Sequence, residues 1–161
     1  MLLAIRPFLL YSIRVRNKTI LKLVSGFGSF REKYFGEDTD FSKTFEGQSP
    51  KTMLIGCSDS RVDPALLYST SPGELFIVRN VANLVPPFEG ASKTRHGVSA
   101  AIEFAVVNLK VENIVVMGHR QCGGIRALMT GKKKKKEITF VSSWMEIAHS
   151  ARKKVLEKFS S

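Results

Sequence analysis

At 161 residues, 43% hydrophobic and 24% charged, the chain has the length for one domain with a real core and a composition ordinary for a globular protein. A net charge of +11 would point to nucleic acid only if it formed a broad basic face. Arg6, Arg14, Arg16, Lys18, Lys22 and Arg31, with no acid among them, and the run Lys132–Lys136 make up the whole excess, so no nucleic-acid partner is expected.

Taken in order, Met1 to Ile20 is basic, serine-bearing and acid-free, the composition of a mitochondrial transit peptide. Its apolar patch Phe8-Leu9-Leu10-Tyr11 is too short to span a bilayer, and no membrane partner is expected. Residues 1–20 therefore read as a basic extension or targeting segment, and 21–161 as a single α/β domain. Ile20 to Tyr34 has the pattern of an amphipathic helix, with Leu21, Val24, Phe27 and Phe35 broadly on one side. Phe41 to Lys51 is a polar connector. Met53-Leu54-Ile55-Gly56 and Ile114-Val115-Val116-Met117-Gly118 are compact apolar runs closed by glycine, which read as buried parallel strands. Asp63-Pro64 opens a short helix, with aspartate as cap and proline in the first turn, and Ser71-Pro72-Gly73 closes it.

Leu75 to Val78 is the next strand; Arg79 to Val85 leaves it for an exposed loop at Pro86-Pro87 and Glu89-Gly90. His96 to Lys110 is the longest clear helix, by the stripe Val98, Ala101, Ile102, Ala105, Val106 and Leu109; His96 itself reads as a helix-start residue, not a ligand. A short helix from Gly124 to Met129 and the solvated run Lys132–Lys136 follow. Ile138 to Phe159 reads as one long helix with Trp144, Ile147, Ala151, Val155 and Phe159 in the core and His149 on an exposed flank. This alternation predicts an α/β fold: a mainly parallel sheet flanked by helices, joined by right-handed crossovers.

Two stretches carry the chemistry: Cys57-Ser58-Asp59-Ser60-Arg61 and His119-Arg120-Gln121-Cys122-Gly123-Gly124. Each follows a predicted strand, and ligand sites in open α/β sheets form just beyond strand carboxyl ends. Thiolates from Cys57 and Cys122, the His119 imidazole and the Asp59 carboxylate make a tetrahedral set that zinc accepts. Two other readings stay open: buried thiols beside a surface imidazole, or a Cys57–Cys122 disulfide of a thiol redox protein. The absence of C-x-x-C gives a thioredoxin-like role little support, and only two cysteines in all fits a reducing compartment.

C-x-D-S-R followed by G-H-x-x-C-G-G resembles the signature of the β-class carbonic anhydrases. Glu46 to Lys51, Pro72 to Phe76, Val78 to Asn83 and Gly97 to Phe104 are similar to that family's intervening blocks, so the resemblance runs from Leu21 to Phe159. It implies one Zn2+ per chain on Cys57, Asp59, His119 and Cys122, and reversible hydration of carbon dioxide to bicarbonate and a proton. A zinc ion brings the pKa of bound water from about 15.7 towards 7 and so generates hydroxide at neutral pH. An Asp59–Arg61 dyad would hold the carboxylate off the metal and orient that hydroxide.

The resemblance further implies that Gln48 hydrogen-bonds substrate, often across a subunit boundary, that Phe76 and Val81 line an apolar pocket, and that the Gly123 amide contacts ligand. Phe104 stands where many plant-like members have tyrosine. The family's N-terminal helix packs on a partner, so a homodimer or higher homo-oligomer is implied. Members continue past Ser161 through a further helix and an edge strand, so the chain reads as C-terminally truncated. The alternative function is therefore a noncatalytic zinc-binding remnant or partner-binding module. Leu54 replaces the tryptophan of the bicarbonate-regulated branch, and Gln48 matches the other branch, so no bicarbonate switch is expected. The expected compartment is cytoplasmic, or mitochondrial if the basic N-terminus is a targeting segment.

Overall fold

The computed structural model describes residues 17–35, 47–88, 90, 96–130 and 139–159. The chain divides into two units, Met1–Gly47 and Gln48–Ser161. In the first, helix α1 spans Lys18–Phe35. Asn17 starts it by accepting the Thr19 N–H at 2.9 Å on its side chain and the Leu21 N–H on its carbonyl. Among the described residues none of α1 is buried, and Leu21, Val24 and Phe27 are all exposed.

The second unit is built on three parallel strands in the order β2-β1-β3. β1 is Thr52–Cys57, β2 Leu75–Asn80 and β3 Asn113–Met117. β1 is central and is the strand buried on both faces, every residue after Thr52 being buried. β3, equally apolar and read as buried, lies at the sheet edge with only Met117 buried. Met53 and Ile55 share one face by strand alternation and pack with Ala105, flanked by Phe76, Val78 and Ala101. Leu54 and Gly56 take the other face. A Cβ on Gly56 would lie 3.3 Å from both the Leu54 and Met117 side chains, so glycine lets them pack closely over β1. Helix α2, Pro64–Tyr68, begins as expected: the Asp63 carboxylate accepts the N–H groups of Ala65 and Leu66.

Several boundaries differ from expectation, each for a local reason. Cys57 is the last residue of β1, still paired with Asn80, and β2 runs on through Arg79 and Asn80. Helix α3 covers Gly97–Glu103 only; Phe104–Asn108 widens into a π turn in which the Leu109 N–H reaches the Phe104 carbonyl. Helix α4 is Gly123–Thr130. The long final helix is broken into α5, Phe140–Met145, a tight turn Glu146–Ala148, and α6, His149–Phe159. Thr139 and Ser142 make a reciprocal capping box that starts α5. The core assignment for this segment also changes: Trp144 and Ile147 are half-buried, but Ala151, Val155 and Phe159 are exposed. His149 is exposed and His96 occupies the α3 N-cap position, as read. Lys132–Lys136 and most of residues 1–20 lie outside the described residues.

Candidate metal centre

Parallel pairing brings the two ligand turns together. β3 lies against β1 with Met117 opposite Gly56, so the chain leaving β3 reaches His119 beside Cys57. Gln121 takes a left-handed conformation, φ 58°, and turns the chain so that Cys122 caps α4, its carbonyl accepting the Arg126 N–H. Cys57, His119 and Cys122 then present donor atoms that all lie within 4.8 Å of one another. Both cysteines are free and buried, with sulfurs 3.9 Å apart. Two sulfurs each about 2.3 Å from one tetrahedral zinc stand roughly 3.8 Å apart, so the spacing fits that ion.

The imidazole completes the test. His119 Nδ1 lies 3.0 Å from the Arg120 carbonyl oxygen, which places the proton on Nδ1. Nε2 is left with its lone pair, buried, and with no hydrogen-bond partner among the described residues. A buried nitrogen acceptor without a donor is costly, and a cation between it and the two sulfurs removes that cost. A second interaction fixing the tautomer of a ligating histidine is the usual arrangement at metal sites.

The Cys57 thiol is prepared for the same task. Burial pushes it up, but hydrogen bonds from the backbone N–H groups of Asp59 and Ala82 help bring it below its ordinary value. Ala82 reaches it because of a strained loop: the Asn80 side chain accepts the Leu84 N–H and donates to the Leu84 carbonyl. This closes Val81–Asn83 into a tight turn in which Ala82 and Asn83 are both left-handed, at φ 65° and 48°. Gly124 sits directly behind; a Cβ there would be 3.0 Å from the Ala82 Cβ and 3.3 Å from Met145 and Val81.

Asp59 stands beside the group, not in it. Its Oδ1 accepts from the Arg61 backbone and Nε at 3.0 and 2.8 Å, and its Oδ2 accepts from Nη2 at 2.6 Å. These bonds hold its carboxyl well below the usual carboxylate range and raise the Arg61 guanidinium. Oδ2 is 4.0 Å from His119 Nε2.

The remaining expected residues are dispersed. Val81 borders an apolar groove of about 400 Å³ with Asn80, Phe140, Val141 and Trp144, and its carbonyl accepts the Trp144 indole at 2.7 Å. Phe76 and Phe104 contact each other at 5.9 Å between ring centres, but Phe76 pairs with Met53, four register positions below Cys57. Gln48 is exposed before β1, and Gly123 opens α4. Arg79 and Asn80 are not given a site role by the sequence reading, and Trp144 only a core one, although a charged and an amide residue ending an apolar strand is a signal that they face polar work.

The family profile described as "Carbonic anhydrase" matches residues 52–161. The chain belongs to the carbonic anhydrase family. It is similar to a carbonic anhydrase of Synechococcus elongatus, 38% identical over 140 residues, covering 86% of this chain and 50% of the relative. Among solved structures it resembles the β-carbonic anhydrase CcaA, with TM-score 0.79 and 34% identity over 89% of this chain and 64% of that one. It also resembles a tetrameric β-carbonic anhydrase from Sordaria macrospora, with TM-score 0.72 and 30% identity over 88% of this chain and 68% of that one. The chain spans about half the length of the curated relatives it matches. The parallel sheet flanked by helices is the fold of these carbonic anhydrases, and the donor set is one that zinc accepts.

Proposed function

We propose that this carbonic anhydrase chain hydrates carbon dioxide reversibly to bicarbonate and a proton at zinc held by Cys57, His119 and Cys122. The observation that carries the reading is the buried His119 Nε2, without a hydrogen-bond partner among the described residues, grouped with two thiols and with an ionised carboxylate 4.0 Å away. Zinc at such a site supplies a Lewis acid that brings the pKa of a water to about 7. Arg61 keeps Asp59 charged and aimed, so that Asp59 accepts a hydrogen bond from the attacking solvent molecule and turns its lone pair toward carbon dioxide. With both its oxygens engaged by Arg61, Asp59 would be held back from a bound metal and would serve as orienting group.

Phe76, Val81, Phe104, Gln48 and the Gly123 amide are proposed to bind carbon dioxide and bicarbonate. Because Phe76 lies down the strand from Cys57 within one chain, the apolar wall is proposed to come partly from a second copy in a homo-oligomer. The tetrameric Sordaria relative supports this. That same dispersal favours the second reading, a zinc-binding module inactive as a single chain. Residues 1–20 are proposed as a separate extension. A cytoplasmic site is proposed from the free thiols; a mitochondrial one would follow if the extension directs it. Among the described residues no helix is long and apolar enough to cross a membrane.

Zinc content and stopped-flow carbon dioxide hydration, measured on one preparation across a concentration series, test both readings. Hydration rising with zinc occupancy supports the enzyme. Full zinc loading without hydration at any concentration supports the inactive module, and no zinc uptake overturns both.

A further inference from the structure

Among the described residues the Arg79 side chain makes three hydrogen bonds, all to the segment that carries Cys57 and Asp59. Its Nε donates to the Cys57 carbonyl at 2.9 Å, its Nη2 to the Asp59 carbonyl at 2.6 Å, and its Nη1 to the Asp63 carboxylate at 3.1 Å. The β1–β2 ladder ends just here, with the Ser58 N–H on the Asn80 carbonyl at 2.8 Å. Beyond that bond the sheet no longer fixes the backbone, yet the two residues whose directions matter most flank the gap.

We propose that Arg79 is the positioning residue for the metal centre. One planar fork grips the carbonyls on both sides of Ser58 and so sets the direction of the Cys57 sulfur and the Asp59 carboxylate together. Nε and Nη2 form one rigid edge of the guanidinium, a geometry that lysine cannot reproduce. The Asp63 ion pair is a lesser part, because Asp63 is 42% exposed and surface pairs contribute little. Strand β2 thereby acts on the site without supplying a donor, from the register position opposite Gly56. The inference rests on the metal reading for its consequence, but not for the clamp itself.

Three variants test it. Arg79→Met removes both carbonyl bonds, Arg79→Lys can keep one, and Asp63→Asn breaks the ion pair while keeping a capping side chain. Cobalt(II) titration reads affinity and the visible ligand-field and thiolate bands; loss of a group that orients ligands costs about 10- to 100-fold in metal affinity. The expected result is a loss of that size with altered bands for Arg79→Met, an intermediate loss for Arg79→Lys, and unchanged bands for Asp63→Asn.

Hydrogen exchange of residues 57–63 in the metal-free chain gives a second readout, expected to speed up in Arg79→Met. If Arg79→Met fails to fold, Arg79→Lys decides: cobalt affinity and bands identical to the unaltered chain overturn the role. If the unaltered chain binds no cobalt, the metal reading falls; faster exchange in the arginine variants then still supports the clamp, and unchanged exchange overturns it too.

Discussion

Asp59 and Cys122 both stand next to His119, yet their loss should look different. Cys122 contributes one of the clustered donors, so Cys122→Ser should abolish stoichiometric zinc, read by metal analysis after dialysis. Asp59 is outside that group and tied to Arg61, so Asp59→Asn should retain zinc while hydration falls by about 10²-fold or more, the scale of a lost proton-handling group. Parallel loss of zinc in both variants would place Asp59 among the ligands. At Leu54, 2% exposed on the β1 face shared with Gly56, a bicarbonate titration of activity should be smooth and noncooperative. A steep, cooperative inhibition curve below neutral pH would contradict the absence of a switch.

At the scale of elements, the turn behind the site is the sensitive point. Gly124→Ala would gain a fraction of a kcal/mol in helix propensity, but its Cβ would press on the Ala82 Cβ at 3.0 Å. Ala82 is fully buried and already left-handed, so it cannot yield, and overpacking of about 1–3 kcal/mol should win. Urea unfolding of the zinc-loaded chain measures this; a stabilised variant would show that the turn is softer than its geometry suggests. Trp144→Phe leaves the Val81 carbonyl without its 2.7 Å partner and should cost about 1 kcal/mol by the same assay.

The elements also show what a sequence can and cannot carry. The strands around Cys57 and before His119 were readable because apolar runs and donor residues announce themselves within a few positions. The Val81–Asn83 turn was not, since its left-handed residues are alanine and asparagine, and only the Asn80 bridge to Leu84 explains them. The break at Glu146–Ala148 was hidden for a similar reason: an apolar residue every third or fourth position continues through it, and periodicity cannot see a change of helical pitch. Arg79 left no local trace of its partners, which lie 16 to 22 positions earlier, at the end of β1 and in the segment after it.

On the whole molecule, apolar surface is left uncovered in the single chain. Ile114 and Val116 on edge strand β3 are 46% and 52% exposed, and Phe140 beside the Val81 groove is completely so. Exposed apolar strand edges and patches of this kind favour association. Sedimentation at micromolar concentration should therefore give a mass above the 17.9 kDa of one chain; a monomer throughout would sink the proposal of a shared active site. Chelation should lower the melting temperature of the zinc-loaded protein and expose both thiols to a thiol reagent, whereas unchanged thiol reactivity would dissociate the cysteines from the metal.

The two sulfurs stand 65 positions apart along the chain and meet only because β3 has already docked on β1. A cation joining them cannot seed folding; it can only lock a topology that has formed. It then fastens a long closed stretch against reopening, much as a cross-link would, with the benefit growing slowly with the length enclosed. Metal capture during refolding should accordingly trail the appearance of the sheet, making the bound ion a marker of completed assembly.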